Sequence, residues 1–153
     1  MRVGLLLSVP ALIAWLTGRP FIFPSLGPSA FTFVMDGPAR NSARRVLGGH
    51  LIGIIGGLLA YHLLANGLTL VHLPRFMSFP LLRLVASGVF SVVLTTAGMS
   101  AARTQHTPAC ATTLIVSLGL MATFRDAIFI MLAVSAMFAT FRLLIPAKQQ
   151  TGE

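Results

Sequence analysis

The sequence predicts an all-α integral membrane protein of four full transmembrane helices plus two broken or half helices, and three observations lead there. Of its 153 residues 56% are hydrophobic and 9% charged, with a mean hydropathy of +0.88, whereas a soluble domain carries about 25% charged residues. Uncharged runs cover residues 3–18, 20–35, 46–74, 84–102, 104–124 and 127–141, and one crossing takes roughly 20 mostly apolar residues. These runs also fall into two sets with one order: full helix, proline-interrupted segment, full helix.

The first span, about residues 3 to 18, ends at Thr17-Gly18-Arg19-Pro20, where Gly and Pro discourage a helix. It is read as retained, because Trp15-Leu16-Thr17-Gly18-Arg19 is not the small-residue cleavage site of a signal peptide. The next stretch, Phe21 to Phe33, holds Pro24 and Pro28. Pro28 suits a first helical turn, where its missing N–H would be unpaired anyway, so an extended stretch should feed a half helix beginning there. After Asp36-Gly37-Pro38 come the basic cluster Arg40, Arg44 and Arg45 and the longest helix, about 42 to 65, with Gly49, Gly53 and Gly57 four apart. Small residues let helix backbones approach closely in lipid, so this helix belongs at the centre of the fold or at an oligomer contact, a homodimer being the assembly that face would make. Residues 66 to 80 read as a loop. A span at about 83 to 100, a segment Thr104 to Thr113 interrupted by Pro108, and a last span at about 126 to 144 follow.

The chain is therefore one membrane domain, 1–145, with repeat halves of about 1–66 and 81–145 and a polar tail at 146–153. An offset of 80 places Gly18 on Gly98, Pro28 on Pro108, Thr32 on Thr112 and Arg45 on Arg125; order rather than identity carries this repeat. Units of three crossings would have opposite orientations. With the amino terminus inside, Arg2, Arg40, Arg44, Arg45, Arg103, Arg142 and Lys148 lie inside and Arg19, Arg75, Arg83 and Arg125 outside, which follows the positive-inside rule. If the broken segments instead re-enter and return, four full spans remain and that assignment changes. A multi-pass protein of the cell membrane is expected.

The net charge of +8 would point to nucleic acid on a soluble protein. Here the basic residues are spread between apolar runs, where loops and lipid headgroups account for them, so the partner is the bilayer and not nucleic acid. Cys110 stands alone and excludes an internal disulfide. Broken helices at corresponding places in two halves point to a transport site, because their ends bring backbone dipoles to mid-membrane. Two facing amino-terminal tips at Pro28 and Pro108 would favour a small anion or polar solute. Asp36, Asp126 and Glu153 all sit at segment ends, so a cation site built on buried carboxylates is not expected. His106 is the most informative polar residue, a permeation group or a helix-cap histidine; His50 could meet it across the interface or merely join two helices. Ser25, Gly27, Ser29, Thr107 and Thr112 complete the candidate substrate-binding set, with Thr32 and Thr113 as further polar lining. Arg40 and Arg103 would attract anions at the mouths or anchor headgroups. No paired His or Cys spacing suggests a metal, no phosphate loop or nucleophile elbow suggests an enzyme, and no cofactor is expected.

Four elements resemble those of the HPP family of membrane proteins. Phe23-Pro24-Ser25-Leu26-Gly27-Pro28-Ser29-Ala30 is similar to its Ser-Phe-Gly-Ala-Ser-Ala stretch. Ala39-Arg40-Asn41 and Gly48-Gly49-His50 match its Pro-Arg-Asn and Gly-Gly-His elements, and His106-Thr107-Pro108-Ala109-Cys110-Ala111-Thr112 its His-Pro-Pro-Ala-Gly-Ala-Thr signature. The resemblance runs from about residue 20 to 140 and implies four transmembrane helices and, from plant members linked to nitrite transport into plastids, a transporter or channel for a nitrite-like anion. Thr107 and Cys110 depart from the signature, so the loop should be less rigid and the substrate does not carry over directly. The competing expectation is a membrane scaffold or partner subunit working through the Gly49, Gly53 and Gly57 face.

Overall fold

The computed structural model describes residues 2–144, so the tail 146–153, with Lys148, lies outside the described residues. Among the described residues six α-helices follow one another: α1 Arg2–Thr17, α2 Ile22–Arg40, α3 Ala43–Ala60, α4 Phe79–Ala102, α5 Ala109–Ser117 and α6 Phe124–Leu144. A π-helical turn, Tyr61–Ala65, prolongs α3. Three helices are long and apolar enough to cross a membrane: Ala43–Ala65, Phe79–Ala102 and Phe124–Leu144. The expected fourth, α1, has 16 residues; it is short for a hydrocarbon core of about 30 Å at about 1.5 Å rise per residue.

Local chemistry sets the helix ends. Gly18 takes a left-handed φ of 65°, and Arg19 N–H closes back on the Ala14 carbonyl at 3.0 Å, the bond that seals a Schellman terminus. Arg103 adopts φ 54°, and Thr104 N–H returns to the Met99 carbonyl at 3.0 Å in the same way. Ser42 and Ser78 cap α3 and α4 through their hydroxyls. Thr123 N–H donates to Asp126 Oδ2 at 3.1 Å while Asp126 N–H donates to Thr123 Oγ1 at 3.2 Å, a reciprocal capping box that starts α6.

The second segment departs from expectation. The helix begins at Ile22 and runs through Pro28, so Pro24 occupies the first turn and Pro28 the interior. Pro28 therefore starts no half helix. Loss of one N–H and a local kink are tolerated in membrane helices where neighbours re-satisfy the backbone. The break comes instead at Gly37, with φ 65° and ψ −173°. Asn41 Nδ2 holds that break, donating to the carbonyls of Gly37 at 2.9 Å and Thr32 at 3.1 Å. In the later proline segment the helix does begin at its proline: Pro108 precedes the nine-residue α5.

Helix α3 is central and packs against α4, α5 and α6; α1 lies on α2 and α6, α2 on α5 and α6, and α4 on α5. The glycine ridge makes this possible. A Cβ on Gly53 would lie 2.7 Å from Thr113 Oγ1, on Gly57 2.8 Å from Val116 Cβ, and on Gly49 2.8 Å from His106 Cβ. This face is covered by the chain's own α5 and the segment before it, which corrects the expectation of a partner or homodimer surface through Gly49, Gly53 and Gly57. On the opposite flank Leu6, Ile22, Leu26, Phe33, Ile130, Met137 and Phe141 form the core, with the Phe33 and Phe141 rings stacked at 4.5 Å. Large apolar side chains such as Trp15, Leu82, Val89, Val93 and Leu132 face outward, as lipid rather than water would have them.

The bundle has two ends. Arg45 reaches the Arg40 carbonyl and Arg44 the Ala102 carbonyl at one; at the other Arg83 donates to the Leu64 carbonyl and Arg19 pairs with Asp126 at 3.1 Å. Residues 104–119 travel beside α3 from Gly48 to Tyr61, and Leu70 N–H then bonds the Leu118 carbonyl. That segment passes from one end of α3 to the other and does not turn back.

Candidate functional site

Four of the polar residues anticipated from the sequence meet at the centre. Ser29 comes from α2, His50 from α3, Thr112 from α5, and His106 from the turn before α5. Gly49 lets His106 approach α3, since any side chain there would displace its Cβ. Ser29 Oγ lies 3.0 Å from His50 Nε2 and 3.1 Å from His106 Nε2. His50 Nδ1 lies 2.9 Å from Thr112 Oγ1, which donates to the Ser25 carbonyl at 3.5 Å. Ser25, Ser29, His50 and Thr112 are fully buried and His106 is 5% exposed, and the two imidazole centroids are 5.3 Å apart. In so apolar a setting polar groups must be paired, and these pair with one another across three helices. The two acidic residues among the described residues are elsewhere: Asp36 beside Arg40 and Asp126 with Arg19.

The remaining candidates divide. The Ser25 hydroxyl bonds back to the Ile22 carbonyl at 2.8 Å, so its contribution to the cluster is its carbonyl. Gly27 is half-buried with nothing within 4 Å of a Cβ position. Pro28, Thr32, Thr107 and Pro108 line one apolar groove of about 360 Å³ between α2 and α5, so the two prolines meet without forming two facing helix tips. At the tip that exists, Ala109, Cys110 and Ala111 N–H groups are taken by the carbonyls of His106, Thr107 and Pro108; the expected free donors are occupied. Arg40 and Arg103 are exposed at the end that also holds Arg44 and Arg45, away from the cluster. A cleft of about 290 Å³, bordered by Thr96, Ser100, Gln105, Thr107 and Cys110, reaches His106 from the Arg103 end.

Sequence reasoning missed a hydroxyl seam on α4. Thr95 Oγ1 lies 3.1 Å from Thr113 Oγ1, and Ser87 donates to the Ser117 carbonyl at 2.9 Å. The available signal was spacing: Ser87, Ser91 and Thr95 are four apart, on one helical face.

The family model for the HPP transmembrane region matches residues 2–149. The chain belongs to the HPP transmembrane family. This extends the four-motif resemblance to nearly the whole chain and establishes a membrane protein. No curated protein and no solved structure matches it. In HPP terms, the stretch around Ser29, the Gly-Gly-His element and the His106 signature are the segments that the fold brings together, while Asn41 of the Arg-Asn element holds the α2 break.

Proposed function

We propose that this HPP protein is a multi-pass transporter or channel of the cell membrane for a small, nitrite-like inorganic anion, with Ser29, His50, His106 and Thr112 as its constriction. The carrying observation is the convergence of imidazole and hydroxyl groups from three helices on one buried point that no carboxylate among the described residues shares. Such groups can donate to an anion, and a cation would find little to hold it there. Because they now bond one another, passage requires those bonds to be exchanged for bonds to the anion. The cleft at His106 offers an approach from the arginine-rich end. The two facing helix tips no longer support this reading; the side-chain cluster takes their place.

Helix contacts favour a two-unit architecture. Exchanging α1, α2 and α3 with α4, α5 and α6 carries the α1–α2 contact onto α4–α5, α1–α6 onto α3–α4, and α2–α6 onto α3–α5, while α2–α5 and α3–α6 map onto themselves. Pseudo-symmetric units around a central site are how many secondary transporters are built. Proteoliposomes containing the protein should take up nitrite or nitrate, and His106→Ala should change the rate or its pH dependence. Absence of protein-dependent flux for any small anion rejects the reading. No enzymatic step is assigned. The scaffold alternative has lost the surface on which it rested.

A further inference from the structure

Donor counting gives the central cluster a direction. The Ser25 carbonyl can only accept, so Thr112 O–H points to it. Thr112 Oγ1 then accepts from His50 Nδ1–H, which leaves neutral His50 with a bare Nε2. Ser29 O–H fills that position, and Ser29 Oγ in turn accepts from His106 Nε2–H. His106 Nδ1 is left as a lone pair with no hydrogen-bond partner among the described residues, on a residue that borders the cleft.

Resting on the transport reading, we propose that the protein carries one proton with each anion, passed along the chain His106, Ser29, His50. A proton from the cleft adds to His106 Nδ1. The Nε2 proton of His106 then moves to Ser29 Oγ as the hydroxyl proton of Ser29 moves to His50 Nε2. His106 is left neutral with its proton on Nδ1, Ser29 is again a hydroxyl, and His50 is an imidazolium. Both Ser29 hydrogen bonds survive with their sense reversed, while those of His50 Nδ1 and Thr112 keep theirs: His50 Nε2–H donates to Ser29 Oγ, and Ser29 O–H donates to His106 Nε2.

The imidazolium so formed has no counter-charge among the described residues. Helix α2 offers Asp36, engaged with Arg40 at its end; α6 offers Asp126, engaged with Arg19, besides Arg125 and Arg142. Between Arg83 and Arg103, α4 has no titratable group, α5 has Cys110, α3 has Arg44 and Arg45 at its start, and the π-helical turn that prolongs it has Tyr61 and His62. An unpaired buried charge is strongly unfavourable. A monovalent anion supplies the missing partner, so proton and anion stabilise each other in the site. On release His50 Nε2–H gives its proton to water as the anion leaves, Ser29 O–H turns back to the bare Nε2, and His106 loses its Nδ1 proton and regains one on Nε2, so that one proton and one anion have passed together.

The test is initial nitrite uptake into proteoliposomes, less that of protein-free vesicles, driven separately by an inward proton gradient and by an inside-positive potential. Coupling predicts uptake stimulated severalfold by the proton gradient and unmoved by the potential. Ser29→Ala should lose the proton dependence and Ser29→Thr, which keeps the hydroxyl, should retain it. Flux driven by the potential and indifferent to the proton gradient overturns coupling while leaving transport standing. A Ser29→Ala protein still driven by protons overturns the relay. No protein-dependent flux of nitrite, nitrate or chloride removes the transport reading and coupling with it. Should neither variant fold, the two driving forces on the unmodified protein decide.

Discussion

Ser29 accepts one imidazole and donates to the other, so no other hydroxyl of the cluster joins both rings. Ser29→Ala strands two ring nitrogens; interhelical hydrogen bonds in membrane proteins are worth on average about 0.6 and at most about 1.7 kcal/mol. A loss of that order in unfolding measured in detergent is expected, and full stability would mean that the rings are held by packing alone. The glycines give a sharper contrast. Gly53→Ala places a methyl 2.7 Å from Thr113 Oγ1 and 3.0 Å from the Ala109 carbonyl, an overpacking that should cost about 1–3 kcal/mol. Gly27→Ala meets nothing within 4 Å and should gain about 0.5–1 kcal/mol from helix propensity. Equal effects in thermal unfolding would show that α5 is not seated on the ridge. The cluster was legible because His50, His106, Ser29 and Thr112 are polar residues in apolar runs, where each must find a partner. Thr95 was not, because a single hydroxyl usually bonds its own helix.

At the level of elements, α1, α3, α4 and α6 were legible within a few residues, since hydropathy and chain breaks coincide. Helix α2 was not. A proline can open a helix or sit within one, and only packing decides which; Pro28 and Pro108 look alike in sequence and differ in the fold. The glycine spacing likewise announced a close approach without saying to what. At the start of α6, Asp126 serves both the capping box and the Arg19 pair while 2% exposed. Asp126→Ala should lower stability by about 1–2 kcal/mol through loss of the cap. Asp36→Ala, which removes an exposed 3.9 Å pair with Arg40, should change it by about 0.5 kcal/mol or less. Similar melting temperatures for the two variants would rule out the capping role.

The molecule as a whole has unlike ends. Trp15, Phe76, Phe79 and Phe124 are between 72% and 82% exposed and gather at the end of Arg19 and Arg83, where the amphipathic indole of Trp15 suits a membrane interface. At the opposite end the cleft at His106 contains the single cysteine, half-buried Cys110. A membrane-impermeant maleimide should label it when applied from the Arg103 side, and nitrite should slow the labelling; labelling only from the Trp15 side would contradict the position of the cleft.

The hydroxyl seam of α4 has no echo in the other half. Under the 80-residue offset Ser87, Ser91 and Thr95 fall on Leu7, Ala11 and Trp15. A transporter that rocked between two poses would thus offer its cargo a wet threshold on one side and a greasy one on the other. Its KM should be lower from the aromatic side, where the seam begins one turn beyond Arg83, with the same final distribution across the bilayer, because unequal doorways alter how readily an ion is taken up and not where it comes to rest.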